Sequence, residues 1–291
     1  MIAAAAARPV GLSRARKAKD MAFTAFMWLC AALALIPLVI ITIYVVSRGW
    51  HALSVNFFTK EPAGPLDASS GGIVQSFIGT GIIVGIAALI SIPLGVLTAV
   101  YLSEYGRGKF AALVRFVAET LLSTPSIVAG AFIWAVFVVT TGHFSAIAGS
   151  LAIAGLMWPI IVRATEDILR LVSPELREGA LALGVPRWKV ILRIVIPTAG
   201  AGILTAIMLA VARGLGETAP ILLTALGNEY INTDPSQPTD ALPLRIYNYA
   251  RSSVTALHAF AWGGAVMLLV GVLVLSISAR LLSVRQQRRM G

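Results

Sequence analysis

The residues with the clearest chemical potential are two charges placed where charge is expensive. Arg213 and Glu217 sit in Arg213-Gly214-Leu215-Gly216-Glu217-Thr218-Ala219-Pro220, inside an otherwise apolar run. For a helix starting near Thr198, Arg213 falls ~22 Å along the axis, deep within a hydrocarbon layer about 30 Å thick. An arginine at such a depth costs roughly 2.5–3.5 kcal/mol on insertion scales, so it must face a partner or an aqueous path. Spacing of four places Glu217 on the same helix face. Gly214 and Gly216 leave room for close approach by a ligand or a neighbouring helix, and Pro220 predicts a kink one turn later, freeing a carbonyl near residue 216. Two readings stand side by side. Either the two charges satisfy one another and pack helices together, or the guanidinium is presented to an oxyanion while Glu217 holds its geometry and limits how tightly the anion is held. Transport demands release as well as capture. Arg163, near the end of another apolar run, and Glu119 are further candidates, although Arg163 is also placed to snorkel to an interface.

A second constellation lies at about 166–197, between two apolar runs. Glu178, Ala180, Gly184, Ile194, Ile196 and Pro197 fit the pattern E-x-A-x-x-x-G-x9-I-x-[LI]-P. Ser173-Pro174-Glu175 is a helix start, with a hydroxyl at the cap, proline at the first helical position and a carboxylate in the first turn. Leu176, Ala180 and Leu183 follow at helical spacing and predict one apolar stripe. Gly184 then ends the helix by taking the left-handed conformation. Pro186 opens a second helix bearing Arg187, Lys189 and Arg193, which runs toward Pro197. The expected product is a short helix lying across one membrane face and tethered at both ends, able to pass on the motion of a docked protein. A plain solvated loop of this length runs instead to Ser, Gly and Asn without a helical pattern. Glu178 is expected to make a charged contact with the docked protein, and Gly184 to be intolerant of a side chain.

The elements that position these residues follow from hydropathy. With 291 residues, 58% of them hydrophobic, only 12% charged and a mean hydropathy of +0.86, the chain has too little charge to cover a soluble surface. Runs of spanning length lie near 21–46, 73–101, 113–139, 144–165, 198–226 and 259–283, which predicts an all-α integral membrane protein of about six transmembrane helices. Thr140-Thr141-Gly142-His143 makes a tight turn between the third and fourth. The small pair Gly81 and Gly85 predicts helix packing, and Pro93 a kink in the second span. The first run is too long for a signal peptide and lacks a small-residue cleavage site, so it reads as an uncleaved helix. The net charge of +10 sits beside the spans, so it is a topology signal and does not point to nucleic acid. With the N-terminus inside, eighteen Lys and Arg fall inside and four (Arg48, Lys60, Arg245, Arg251) outside, and the remaining one is Arg213. Both termini and the 166–197 loop are therefore expected in the cytoplasm. The single cysteine, Cys30, permits no intrachain disulfide, and His51, His143 and His258 are scattered.

The loop pattern resembles the EAA coupling loop of permease subunits of bacterial ABC importers. Further motifs sharpen the resemblance. Ala212-Arg213-Gly214-Leu215-Gly216-Glu217-Thr218-Ala219-Pro220-Ile221-Leu222-Leu223-Thr224-Ala225 is similar to the stretch A-R-x-[IL]-G-E-T-A-P-[LI]-L-L-T-A of the PstA-type permeases of phosphate importers. PstC-type permeases continue G-E-T-M-A, and sulfate and molybdate permeases read G-E-F-G. Pro93-Leu94-Gly95, Tyr101-Leu102-Ser103-Glu104-Tyr105 and Glu119-Thr120-Leu121-Leu122-Ser123-Thr124-Pro125-Ser126-Ile127-Val128 point the same way, over roughly 72–283. Gly179 departs from the usual alanine of the motif and weakens the helix slightly. The resemblance implies the type I importer permease fold with a cytoplasmic coupling helix, in a bacterial inner membrane. It also implies a basic tail at 1–20, a first helix and outer loop at 21–71, a transmembrane domain at 72–283 and a second basic tail at 284–291. Expected partners are a dimer of ATPase subunits docking at Glu178, Ala180 and Gly184, a PstC-type second permease, an extracytoplasmic phosphate-binding protein, lipid and inorganic phosphate, with Arg213, Glu217 and Arg163 linked to phosphate passage. No G-x-x-x-x-G-K-[ST] occurs, so the chain is expected to bind no cofactor and to leave ATP and magnesium to the partner. A permease for another oxyanion, such as sulfate or molybdate, is the alternative. A stand-alone channel would have no use for the coupling loop, and a membrane-embedded enzyme would need convergent catalytic groups that the sequence does not offer.

Overall fold

The structure, a computed structural model, describes residues 14–63 and 70–290, without the side chains of 14 and 282–290. Most of the expected basic N-terminal tail, the 64–69 part of the first loop and the side chains of Arg285, Arg288 and Arg289 lie outside the described residues. The chain divides into two compact units, Met1–Ser47 and Arg48–Gly291. The described part of the first belongs to α1 (Arg14–Gly49), a helix of 36 residues whose last two fall in the second unit. Phe23, Trp28, Leu33, Ile40 and Ile43 are all exposed on it. A helix apolar all round and unburied takes lipid as its solvent.

In the second unit α2 (Val55–Thr59) is followed by α3 (Val74–Tyr105), α4 (Gly108–Ser123), α5 (Ser126–Thr141), α6 (Ala146–Arg170) and α7 (Pro174–Ala182). Then come α8 (Arg187–Gly216), α9 (Ala219–Thr224), α10 (Leu242–Ala250) and α11 (Thr255–Met290). Among the described residues five helices are long and apolar enough to cross a membrane singly. The third expected span is not one helix: α4 and α5 meet at 108°. Pro125 drives Thr124 into an extended conformation (φ −74°, ψ 131°), and the hydroxyls of Ser123 and Thr124 close back on carbonyls of the last turn of α4. The tight turn before α6 forms as expected, with Gly142 left-handed at φ +77° and the Ser145 hydroxyl accepting from the Ala148 amide.

The fifth expected span is corrected at both ends. It begins at Arg187 and not near Thr198, because the helix opened by Pro186 runs on through a π turn at Ile191–Val195 into the membrane helix. In that turn the Ile196 amide donates to the Ile191 carbonyl, and the wide register delivers the chain to Pro197, which has no amide to donate. At the other end Gly216 is the last helical residue. Glu217 is extended (ψ 123°), and the chain restarts as α9 with Pro220 in its first turn. The expected kink at Pro220 is a full break, placed after two glycines that hold helix poorly.

The core is built around α6. Ile153, Met157 and Ile161 pack with Ile83 and Ala87 of α3, Ala210 of α8, Ile221 of α9 and Leu244 of α10. A second cluster joins Ala99, Leu169 and Val172 to Ala180, Val190, Val195, Ala199 and Ile203, fixing α7 to the ends of three long helices. Gly81 and Gly85 take no part in packing within this chain, since a Cβ at either meets nothing within 4 Å. The close approach occurs instead at Gly79, where a Cβ would lie 2.0 Å from the Asp240 carbonyl oxygen.

Candidate substrate pathway and coupling loop

Arg213 lies in the last turn of α8, and its neighbour Gly214 packs against Ile153 and Met157. Those residues are about 10–16 Å along α6 from Ala146, so Arg213 sits near the mid-height of a helix ~37 Å long. Its Nε donates to Glu217 Oε1 at 3.4 Å across the helix end. The two therefore pair at the expected spacing but do not share a helix. The Arg213 side chain is 48% exposed and that of Glu217 only 15%. The carboxylate is tucked in while the guanidinium is offered to whatever covers this face. Four carbonyls at the end of a helix lack intrahelical partners, so a cation in the last turn is favoured.

Arg163 lies six to ten residues farther along α6, about 9–15 Å toward the α7 end. Its guanidinium spans Glu119 of α4 at 3.3 Å and Glu166 at 3.4 Å. Both ion-pair partners lie within the chain, which is not the geometry of a side chain snorkelling away alone. Among the described residues no hydrogen bond or ion pair joins Arg163 to Arg213. The centre of this network is Glu166, fully buried and also accepting from Arg115 Nε at 2.7 Å and Arg170 Nη2 at 2.6 Å. Sequence reasoning passed over Glu166. The available signal was the R-x-x-E-x-x-x-R spacing of Arg163, Glu166 and Arg170, which aligns three charges on one helix face.

The coupling loop forms much as its residues dictate. Gly184 is left-handed at φ +77°; its amide donates to the Leu181 carbonyl and that of Val185 to the Ala180 carbonyl. This is the paired Schellman closure, completed by Val185 packing beside buried Ala180. Two details differ from expectation. The Ser173 hydroxyl makes no capping bond to the backbone and instead donates to Glu175, which holds that carboxyl below its usual range. The stripe is also divided: Ala180 faces the bundle, but Leu176 and Leu183 are exposed, the latter by 85%. They are joined at the surface by Leu181 and Trp188, because this nine-residue helix buries only the small Ala180 among its apolar side chains and turns the larger ones outward. Glu178 is exposed on the same helix. The anchor is Arg177, unforeseen from sequence. It donates to Glu104 Oε1 at 3.0 Å and to the carbonyls of Leu169 (2.7 Å) and Val172, tying α7 to the ends of α3 and α6.

At the opposite end of the bundle the 227–257 segment is folded and carries α10. Asp240 and Arg245 are both buried and pair at 2.7 Å; the Ser76 hydroxyl and Gln75 amide of α3 donate to the same carboxylate oxygen. Burial pushes the Asp240 carboxyl up, against the pull of Arg245 and Ser76. Among the described residues no three His, Cys, Asp or Glu side chains converge as a metal ion would require.

Membrane helices broken around a central one, a charge pair at mid-height and a tethered short helix at one end define the permease component of an ABC importer. The chain belongs to the family of binding-protein-dependent transport system inner membrane components, whose pattern matches residues 91–290. The phosphate transport system permease protein PstA of Xylella fastidiosa (strain 9a5c) is 43% identical over 244 residues, 83% of this chain and 84% of that protein. PstA of Haemophilus influenzae is 41% identical over 267 residues (91% and 94%), and PstA 1 of Mycobacterium tuberculosis (strain H37Rv) 40% over 286 (97% and 92%). Among solved structures, a chain of the bacterial alginate ABC transporter, in complex with an alginate pentasaccharide-bound periplasmic protein, superposes with a TM-score of 0.63 at 16% identity. It covers 92% of this chain and 95% of that one. A chain of the inward-facing MetNI methionine ABC transporter gives 0.57 at 18% identity (74% and 94%). At these identities the structures share the fold, and the fold is the type I permease.

Proposed function

We propose that this chain is the pore-forming permease subunit of an ATP-driven inorganic phosphate importer, with both termini and α7 in the cytoplasm. The observation that carries the substrate is Arg213: a half-exposed guanidinium at mid-membrane height, steadied by Glu217. Phosphate crossing a low-dielectric layer needs compensating positive charge, and a planar guanidinium makes paired hydrogen bonds to two phosphate oxygens that lysine does not reproduce. The names of the relatives above point to the same substrate. Arg163 lies closer to the α7 end and is the next positive charge along the path. At that end Leu176, Leu183, Trp188 and Glu178 form the surface for an ATPase subunit, which supplies ATP and magnesium chemistry. This chain binds neither. A second permease subunit completes the pore, and an extracytoplasmic binding protein delivers phosphate at the 227–257 end. Sulfate or molybdate is the competing substrate.

The test is uptake by the reconstituted complex for Arg213→Gln, Arg213→Lys, Glu217→Gln and the double neutral variant. Complex recovery and membrane abundance are scored alongside. Arg213→Gln abolishes phosphate uptake and Arg213→Lys impairs it, with assembly intact. Full uptake by the double neutral variant would reduce the pair to helix packing and end the pathway role. Uptake and ATPase stimulation by sulfate in preference to phosphate would replace the substrate.

A further inference from the structure

A cavity of about 320 Å³ at the α7 end of the bundle is lined by four arginines, Arg107, Arg170, Arg177 and Arg187, with Glu104 the lone carboxylate. Its walls come from the π turn ending α3, the chain entering α4, the end of α6, the coupling helix α7 and the start of α8. Glu104 is already engaged by Arg177, and Arg170 is drawn toward buried Glu166, which it shares with Arg115 and Arg163. Four arginines against one carboxylate leave the lining with a surplus of three positive charges. Two of these charges lie on Arg107 and Arg187, neither of which forms an ion pair among the described residues. Arg187 is nonetheless held in place: it donates to the Glu104 carbonyl and lies 4.8 Å over the Tyr105 ring. A guanidinium fixed by neutral groups keeps its whole charge for a ligand.

A second observation points to the same sign of ligand. The cavity wall at Gly106 and Arg107 is the chain immediately ahead of α4, a 16-residue helix. Its N-terminus has neither a capping side chain nor an acidic residue in the first turn. Uncapped amides and the positive end of a helix dipole favour an oxyanion, and arginines provide the countercharge.

We infer that this cavity binds a phosphate group, clamped between Arg107 and Arg187 and within reach of Arg170. Two sources carry that chemistry. One is free inorganic phosphate, a source that rests on the transport reading above, since transported phosphate emerges at this end. The other is the phosphodiester of an anionic lipid headgroup at the bilayer surface. In either case the ligand bridges the segments that connect α7 to the bundle, so its occupancy stiffens the joint through which a docked ATPase acts.

The test uses the complete transporter complex, without the binding protein, in nanodiscs of neutral phosphatidylcholine or with added phosphatidylglycerol. Equilibrium binding of radiolabelled inorganic phosphate is measured for the native chain, Arg213→Gln, Arg107→Gln and Arg107→Lys. For the free-ion source, binding in neutral nanodiscs survives Arg213→Gln, and Arg107→Gln weakens it roughly 10- to 100-fold, the worth of one charged hydrogen-bonding group. Arg107→Lys restores part of it. For the headgroup source, phosphate binds only weakly, while phosphatidylglycerol is retained in native mass spectra and lost with Arg107→Gln. A measurement on the unsubstituted chain guards against misfolding: phenylglyoxal modification of Arg107 and Arg187, mapped by mass spectrometry, is slowed by phosphate or by phosphatidylglycerol. The inference is overturned if neither ligand protects these arginines. It is also overturned if Arg107→Gln lowers only ATPase co-purification, which would make the cavity a socket for a partner's acidic side chain. Because uptake by the Arg213 variants is scored separately, failure of the pathway and failure of this site give different results.

Discussion

Substitution at Gly184 separates the strain of a backbone from the contact of a partner. Gly184 closes the coupling helix at φ +77°, and beyond its adjoining residues a Cβ there would meet nothing within 4 Å. Alanine there carries only the conformational cost of a left-handed L-residue, about 1–2 kcal/mol. That cost shifts the helix end roughly 5- to 30-fold toward an unwound form. Asparagine, which visits this region more readily, costs less. Tryptophan has the same backbone cost as alanine, and its bulk projects into open space in the isolated chain. The unfolding free energies of purified Gly184→Ala and Gly184→Trp therefore agree to within about 0.5 kcal/mol. Any larger loss for tryptophan in the complex comes from the surface docked against α7. The assay pairs thermal unfolding of the detergent-purified chain with ATPase co-purification and transport-coupled ATP hydrolysis across Gly, Asn, Ala and Trp. The expected order of coupling is Gly, Asn, Ala, Trp. A tryptophan variant that transports normally and keeps its ATPase refutes docking at this helix end. An asparagine variant as damaged as alanine refutes the left-handed closure as the cause.

Glu178→Ala leaves the stability of the isolated chain within about 0.5 kcal/mol, as expected of an exposed site, yet lowers ATPase retention, read by quantitative co-purification. Arg245→Met strands the buried Asp240 carboxylate and destabilises the second unit by about 3–5 kcal/mol. Adding Asp240→Leu recovers part of that loss in thermal unfolding, the remainder being the Ser76 and Gln75 bonds to the same carboxylate, and the absence of any recovery would mean that the stranded charge is not the cause. Reporter fusions after Arg107 and Arg187 give cytoplasmic signals and a fusion after Pro238 an extracytoplasmic one. An opposite signal at Arg187 would deny any ATPase access to α7.

What the sequence by itself determined is the part encoded locally. Apolar runs of spanning length identify the solvent as lipid. Pro174 and Gly184 bound the coupling helix through backbone preferences that need no neighbours, and the four-residue spacing of Arg213 and Glu217 brings them into contact even across a helix break. Only the tertiary structure decided the rest. Hydropathy sees one apolar run at 113–139 and is blind to the 108° turn at Thr124-Pro125, since a broken pair of helices is as apolar as a straight one. It placed the start of α8 at the edge of the apolar run, whereas hydrogen bonding carries the helix back through polar residues to Arg187. Ala180 and Leu183 share a stripe on paper, but contact with Val185 and the long helices buries one and leaves the other at the surface. Charge is the furthest from being legible. Glu166, Arg115, Arg163 and Arg170 come from two helices, and Glu104, Arg177 and Arg187 from three, so whether each charge is spent or free depends on partners distant in the chain. An ion pair is a property of two positions in space, and one residue's place in the sequence holds only half of it.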